Sequence, residues 1–136
     1  MKIRVGFSPG VGAGMGMGAA TFWSIVDALE ATGWDSIWLS ERVNGDLPDC
    51  LAALAAVAGR TRRLKFGMSV LVLPGRNPVL LAKQLATIAV LSDYRFVPAF
   101  GLGADAPGEA AVFGVERGER AARTDEAVTL MKALWT

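Results

Sequence analysis

The sequence contains no histidine and only one cysteine in 136 residues. Without histidine, the chain lacks the commonest general base and the commonest ligand of transition metals. The single cysteine, Cys50, excludes an intramolecular disulfide and a zinc site built from several cysteines. We therefore predict no metal site. A lone cysteine also fits a reducing compartment, and we expect a cytoplasmic protein.

A charge excess of either sign is missing as well. Lys and Arg number 14 and Asp and Glu number 13, which leaves a net charge of +1. A nucleic-acid binder needs a dense basic face, so we expect no nucleic-acid partner. The longest uncharged stretch, Val5 to Val26, contains a proline and a run of alternate glycines, so we expect no membrane-spanning segment and no membrane partner. A composition of 52% apolar and 20% charged residues instead indicates a folded domain.

Strand-like runs alternate with helical patterns along the chain. The runs begin near Lys2, Trp34, Leu64 and Arg95, at separations of 32, 30 and 31 residues. Each run is followed by apolar residues at helical spacing. A constant period of this size predicts four βα units that share a parallel sheet.

Residues that favour helix ends support this pattern. Gly33 stands where the first helix would end, and Asn77 followed by Pro78 predicts the start of the third helix. Pro48 is expected in the first turn of the second helix. The last helix is predicted to run from Arg117 to Leu134.

Two α/β architectures accommodate such units. An open doubly wound sheet reverses its strand order, whereas a (β/α)8 barrel keeps sequential order and needs about 250 residues. We predict a single domain over residues 1–136 with four βα units, half of a TIM-type (β/α)8 barrel. Half a barrel leaves its first and fourth strands as open edges, so we expect the chain to pair with itself as a homodimer or higher homo-oligomer.

A glycine-rich loop before the first helix offers an alternative. Gly14, Gly16 and Ala19 fit the dinucleotide-binding pattern G-x-G-x-x-A, and Glu41 stands where a ribose-binding acid would lie. A small Rossmann-like NAD(P)-binding domain is therefore a second hypothesis. The pattern begins six residues after the strand-like run, however, and a glycine-dense stretch matches it by chance. A plain loop at the strand end is the favoured interpretation.

Three groups of residues follow or interrupt the strand-like runs, where the active sites of barrels are built. They are Ser40-Glu41-Arg42, Gly67-Met68-Ser69-Val70 and Phe100-Gly101-Leu102-Gly103. From spacing alone, Glu41 and Arg42 are best explained as a solvated surface pair. Gly67 predicts a bulge or a close backbone approach, and the hydroxyl of Ser69 is either satisfied locally or turned toward a ligand. The two glycines of the last group allow either a ligand to approach or a simple turn.

Four segments resemble one known family. They are GWDSIWLSE (33–41), SVLVLPGRNPVLLAKQLATIAVLS (69–92), RFVPAFGLG (95–103) and FGVERGERAARTDEAVTLMKALW (113–135). Together they look like the luciferase-like monooxygenase superfamily, in particular its oxidoreductases that use the deazaflavin coenzyme F-420. The resemblance implies a TIM barrel and hydride transfer between coenzyme F-420, or FMN as the alternative, and an organic small-molecule substrate.

The resemblance also implies roles for individual residues. In such members the cofactor ring rests on a bulge in the third strand with a non-prolyl cis peptide, and the matching positions are Ser69 and Val70. The acid–base positions match Glu41 and Arg42, which are expected to be catalytic. Cofactor contacts are expected at Ser40, Ser69, Val70, Leu71, Gly101 and Gly103.

Three departures from the family pattern bear on activity. Many F-420-dependent members have histidine at the position of Arg42, so Arg42 would instead hold an anion or polarise a carbonyl. Some members have an acid where this chain has Ala104, and Asp105 is adjacent to it. The cofactor phosphate site of the family lies mostly in later βα units. A third hypothesis is therefore a non-catalytic truncated fragment that self-assembles.

Overall fold

The computed structural model of the chain describes residues 3–9, 18–43, 47–104 and 111–136. Short strands and helices alternate along it. The elements are β1 (Gly6–Phe7), α1 (Ala19–Ala31), β2 (Ser36–Leu39), α2 (Cys50–Arg60), β3 (Lys65–Met68), β4 (Leu71–Val72), α3 (Pro78–Leu91), β5 (Phe96–Val97), β6 (Phe100–Gly101) and α4 (Arg120–Trp135). This order confirms the predicted alternation, with the third and fourth strand-like runs each divided in two.

All of these strand pairs are parallel. The larger sheet has the order β1-β2-β3-β5, and β4 pairs with β6 beyond it. The register aligns four apolar residues in one row across the larger sheet, Phe7, Ile37, Phe66 and Phe96. The α/β class and the parallel sheet are therefore as predicted. Each of the four strand-like runs pairs with the next run along the chain, which is the arrangement of a barrel.

This strand order contradicts the Rossmann-like alternative. A dinucleotide-binding sheet reverses its strand order beside the first strand, whereas the described strands keep their sequence order. Two residues of the proposed fingerprint, Gly14 and Gly16, lie outside the described residues. The third, Ala19, is the first residue of α1. The NAD(P)-binding hypothesis is wrong for this sheet.

Local conformation and hydrogen bonds explain the helix ends. Gly33 follows α1 with a φ of 81°, a left-handed conformation that favours glycine. The side chain of Asn77 accepts two N–H groups of the first turn of α3, with Pro78 at its first position, as predicted. In α2 the prediction is wrong, because Pro48 lies two residues before the first helical residue, Cys50. Pro48 precedes the helix, and the carboxylate of Asp49 caps it by accepting a backbone N–H at 2.8 Å.

The last helix also starts later than predicted. Arg117–Glu119 forms a single 3-10 turn, and α4 begins at Arg120. The predicted helix included this turn because its charged side chains have no periodicity of their own that would mark a boundary. Among the described residues, no helix is long and apolar enough to cross a membrane.

One face of the larger sheet packs against the helices. Burial alternates in β2, where Ile37 and Leu39 are buried, and β3 buries Phe66 and Met68 completely. The helices contribute residues at helical spacing to the same core: Val26, Leu29, Leu54, Val57, Leu81 and Leu85. On the opposite face the ring of Trp38 fills the space that a side chain at position 67 would need. The core therefore lies between the sheet and the helices.

Candidate functional site

The candidate site lies where the parallel strands end, which we call the carboxyl edge. It comprises three segments, 40–42 after β2, 69–72 around β4, and 101–103 from the end of β6. The carboxyl ends of parallel strands meet at one edge of a sheet, so these segments are neighbours. The structure thus brings together the three groups that the sequence predicted.

Ser69 and Val70 form a bulge between β3 and β4. Both residues are exposed, Val70 to 39%, whereas Met68 before them and Leu71 after them are completely buried. The peptide bond between Ser69 and Val70 is cis. The bulge and the cis peptide that the resemblance implied are therefore confirmed at these positions.

Three hydrogen bonds from the end of β2 hold the bulge. Ser69 donates its N–H to the carbonyl oxygen of Leu39 at 2.8 Å, and the hydroxyl of Ser40 donates to the carbonyl oxygen of Ser69 at 2.7 Å. The N–H of Glu41 donates to the carbonyl oxygen of Val70 at 3.2 Å. The residues at the end of β2 thus bind the backbone of the bulge, while the side chains of Ser69 and Val70 point away from the core.

Glu41 occupies a buried position that its sequence context did not indicate. Only 5% of its side chain is exposed. One carboxylate oxygen accepts the N–H of Val72 at 2.6 Å, and the other accepts a hydrogen bond from the guanidinium of Arg76. Burial raises the pKa of Glu41, while the bonds from Val72 and Arg76 act in the opposite direction. The solvated pair of Glu41 and Arg42 expected from spacing is therefore wrong, because Glu41 is buried against Arg76.

The two glycines at the end of β6 leave space for the valines of the neighbouring strand. A Cβ at Gly101 would overlap the side chain of Val70, and one at Gly103 would lie 2.9 Å from that of Val72. Gly103 also has a φ of 85°, which disfavours any residue with a side chain. The missing side chain at Gly101 therefore determines where the exposed side chain of Val70 lies.

The remaining predicted residues are distributed differently. Leu71 is completely buried in the core, and its N–H donates to the carbonyl oxygen of Ala99 at 2.9 Å. Its side chain lies in the hydrophobic core, so the expected cofactor contact stays a prediction for the backbone of Leu71. Arg42 is exposed after β2 and lines the mouth of a cavity. Asp105 lies outside the described residues.

That cavity, of about 420 Å³, opens between the loop after β2 and the first turn of α2. Its walls mix charged and apolar side chains: Glu41, Arg42, Asp49, Cys50, Arg76 and Phe113. Burial raises the pKa of the Cys50 thiol to about 12, so the thiol stays protonated and unreactive. Within the described ranges, no cluster of acidic or sulfur side chains is placed to hold a metal ion.

Two arginines at this edge were not identified from the sequence. Arg76 binds Glu41 and also donates from Nε to the carbonyl oxygen of Val72 at 2.9 Å. Arg120 is 6% exposed and joins the end of β6 to the segment before α4, through the carbonyl oxygens of Ala104 and Val115. A signal existed for Arg76, which is the only charged residue between Lys65 and Lys83. No periodicity pointed to Arg120.

Comparisons with known proteins agree with this fold. A model of the luciferase-like monooxygenase family matches residues 1–136. Among curated relatives, the F-420-dependent glucose-6-phosphate dehydrogenase of Amycolatopsis mediterranei is 39% identical over 117 residues, which cover 79% of this chain and 35% of the relative. The chain therefore spans about a third of the length of that relative.

Solved structures show the same architecture. The oxygenating constituent of a diketocamphane monooxygenase from Pseudomonas putida, in complex with FMN, has a TM-score of 0.82 and 21% identity. An F-420-dependent secondary alcohol dehydrogenase, in complex with an F-420–acetone adduct, has a TM-score of 0.78 and 24% identity. The matches cover 98% and 99% of this chain but only 40% and 42% of those chains. The described fold is therefore part of a larger barrel architecture.

Proposed function

The chain belongs to the luciferase-like monooxygenase family, and on that premise we propose that its carboxyl edge binds a flat deazaflavin or flavin cofactor. Coenzyme F-420 is the first choice, since the curated relatives are named as F-420-dependent dehydrogenases. FMN is the alternative, since it is bound in one of the similar structures. The activity to which this site contributes is oxidation or reduction of an organic substrate.

The exposed bulge at Ser69 and Val70 is the observation that carries this proposal. It presents an apolar side chain at the edge of an otherwise buried strand, and Gly101 beside it has no side chain to displace Val70. Ser40 and Glu41 hold the backbone of the bulge from behind. A planar, largely apolar ring fits such a surface, because burying the exposed part of Val70 is favourable.

When bound, a deazaflavin or flavin supplies the hydride chemistry. The residues of this chain bind and orient it. Ser69 and Val70 contact one face of the ring, and the missing side chains at Gly101 and Gly103 let Val70 and Val72 keep their positions. Ser40 acts indirectly, because its hydroxyl binds the carbonyl oxygen of Ser69 and so fixes the bulge.

Arg42 is the residue of this edge proposed to face the substrate. Its charge is suited to binding an anionic group or to polarising a carbonyl. The names of the curated relatives make hydroxyl-bearing substrates, phosphorylated sugars among them, the first to test. An Arg42→Gln variant is then expected to lose turnover of such a substrate while still binding the cofactor.

The test is a fluorescence titration of the purified chain with coenzyme F-420 and, separately, with FMN. The informative variant is Gly101→Ala, whose added methyl group displaces Val70. The matched control is Gly59→Ala, where a Cβ meets nothing within 4 Å. We expect binding by the original chain and the control, and affinity about tenfold weaker for Gly101→Ala, a change of ~1.4 kcal/mol.

The outcomes separate the hypotheses. Tighter binding of FMN than of coenzyme F-420 would select the alternative cofactor. Equal affinities of Gly101→Ala and Gly59→Ala would show that the ring does not rest beside Val70. No binding of either cofactor, with an intact circular dichroism spectrum, would favour the non-catalytic fragment instead.

We also propose that the chain pairs with itself through the open edge at β5. In the part of the chain that the structure describes, β5 has a neighbouring strand on one side only. Exposed apolar residues lie beside it, with Leu91 and Tyr94 each 77% exposed and Val97 39% exposed. Such an edge favours pairing with a further strand. Light scattering at several concentrations is expected to give a dimer or larger species, and a monomer throughout would contradict this proposal.

A further inference from the structure

Glu41 is oriented away from the surface on which a ligand would lie. Ile37 and Leu39 point from β2 into the core, and Glu41 continues this alternation beyond the end of the strand. Its carboxylate reaches the region of Cys50 and Asp49 at the start of α2. Ser40 alternates with it and binds the carbonyl oxygen of Ser69, whereas Arg42 lines the same cavity as Glu41. The carboxylate is only 5% exposed, so little of it is available to a group above Val70.

Both oxygens of the carboxylate are already bound. One accepts the N–H of Val72 at 2.6 Å, and the other accepts from Arg76. Arg76 in turn donates from Nε to the carbonyl oxygen of the same residue, Val72, at 2.9 Å. Glu41, Arg76 and Val72 thus form a closed ring of three interactions, in which one ion pair binds both peptide groups of one β4 residue.

The ring lies directly beside the bulge. Val72 is two residues after Val70, and the N–H of Glu41 binds the carbonyl oxygen of Val70. Arg76 is itself held against the ring of Phe113, 5.9 Å from its centre. A shift of the ion pair would therefore move the backbone of β4 and, with it, the backbone of the bulge.

From this geometry we infer that Glu41 and Arg76 are positioning residues, which fix the bulge through Val72, and that Glu41 does not transfer a proton to the substrate. The inference rests on the proposed function for the identity of the ligand above the bulge. It assigns Arg76 a role in cofactor affinity although its side chain lies behind the strand. It also leaves Arg42, which is exposed, as the residue of the expected catalytic pair assigned to the substrate.

The experiment uses Glu41→Gln, Arg76→Gln and the double variant. The matched control is Asp49→Ala, which removes the cap of α2 in the same cavity but leaves every bond to the bulge in place. Two quantities are measured: the exchange rate of the Val72 amide without cofactor, by NMR, and the dissociation constant of coenzyme F-420, by fluorescence. The first needs no ligand, so it tests the ring of interactions independently.

Each single variant is expected to speed exchange of the Val72 amide and to weaken binding of coenzyme F-420, both by about tenfold, the scale of one charge-assisted hydrogen bond. The double variant is expected to be no worse than either single one, because both residues act through the same ring. Asp49→Ala is expected to change neither quantity, even though it destabilises α2.

Several results would overturn the inference. Unchanged exchange of the Val72 amide in Glu41→Gln would disprove the ring itself. Faster exchange with unchanged affinity would disprove its effect on the ligand, and additive losses in the double variant would disprove the shared action. If the original chain binds neither coenzyme F-420 nor FMN, the proposed function fails together with the ligand role, whereas the exchange rates still decide whether the ring holds β4.

Discussion

At the amino edge of the sheet, where the strands begin, charged side chains bind the backbone of the helices, whereas at the carboxyl edge Ser69 and Val70 stay exposed. Arg63 donates to the carbonyl oxygens of Leu29, Glu30 and Trp34 at 2.7–3.1 Å, and so closes the end of α1. In this way Arg63 satisfies three backbone carbonyl groups at the amino edge.

An arginine that binds backbone carbonyl oxygens at a helix end occurs again one βα unit later. Arg95 donates to the carbonyl oxygens of Ala58, Thr61 and Leu64 at 2.8–3.0 Å, and so closes the end of α2. Arg63 and Arg95 are 32 residues apart (95 − 63), which matches the period of the strands. Cations that bind the last carbonyls of a helix also interact favourably with its dipole. The amino edge is thus built for stability, and the carboxyl edge carries the exposed residues that a ligand can contact.

Among the variants that distinguish the two edges, Arg95→Ala is expected to have the largest effect on stability. Removing this guanidinium leaves several partly buried carbonyl groups without a donor, and we expect the free energy of unfolding to fall by about 2–3 kcal/mol. Urea denaturation measures the loss. The control is Arg62→Ala, whose side chain is exposed. The affinity of the folded Arg95→Ala chain for coenzyme F-420 is expected to be unchanged. A weaker affinity would contradict the claim that only the carboxyl edge contacts the ligand.

A smaller effect is expected from Glu30 at the same edge. Its carboxylate accepts the N–H groups of Arg62, Arg63 and Leu64 at 2.8–2.9 Å. Burial alone would raise the pKa of Glu30, but these three hydrogen bonds lower it below 4.5. A lowered pKa stabilises the fold above about pH 4.5, and this stabilisation is lost as the pH falls through the folded-state pKa.

The measurement is urea denaturation between pH 6 and pH 3, values chosen to bracket the usual pKa of a glutamate, ~4.3. We expect Glu30→Gln to lower the free energy of unfolding by about 1 kcal/mol at pH 6 and to reduce its decline toward pH 3. An equally steep decline in the variant would show that Glu30 does not contribute to the acid sensitivity.

The smallest effect is expected from the ion pair between Asp27 and Arg60. The guanidinium donates to both carboxylate oxygens at 2.7 Å, but about half of each side chain is exposed. The hydrogen bond from Arg60 lowers the pKa of Asp27. Because exposed pairs contribute little and are screened by salt, Asp27→Asn is expected to change stability less than Glu30→Gln. Thermal melts in low and high salt measure this, and a salt-independent loss would contradict it.

The sequence predicted the elements better than their tertiary contacts. The constant period and the alternation of burial are local properties, so the strands, helices and the bulge at Ser69 and Val70 followed from them and from the resemblance. The first turn of α2 was misplaced because Pro48 and Asp49 both favour helix starts, and the carboxylate of Asp49 provides the cap.

The contacts that were missed join distant parts of the chain. Glu41 read as a surface charge because its partner, Arg76, is 35 residues away. Arg95 binds the end of α2 across 34 to 37 residues. Burial of a charged residue depends on such partners, which the pattern of a single sequence does not contain. A lone charge in an apolar stretch, such as Arg76, was the one local signal available.

An NMR titration of the amide signals with coenzyme F-420 tests the central claim most directly, that the carboxyl edge binds the cofactor and the amino edge does not. The account predicts shifts at Ser69, Val70 and Gly101, with signals of Arg63 and Arg95 unmoved at saturation. Shifts centred on the amino edge, or a spectrum that does not change with coenzyme F-420 or FMN, would contradict it.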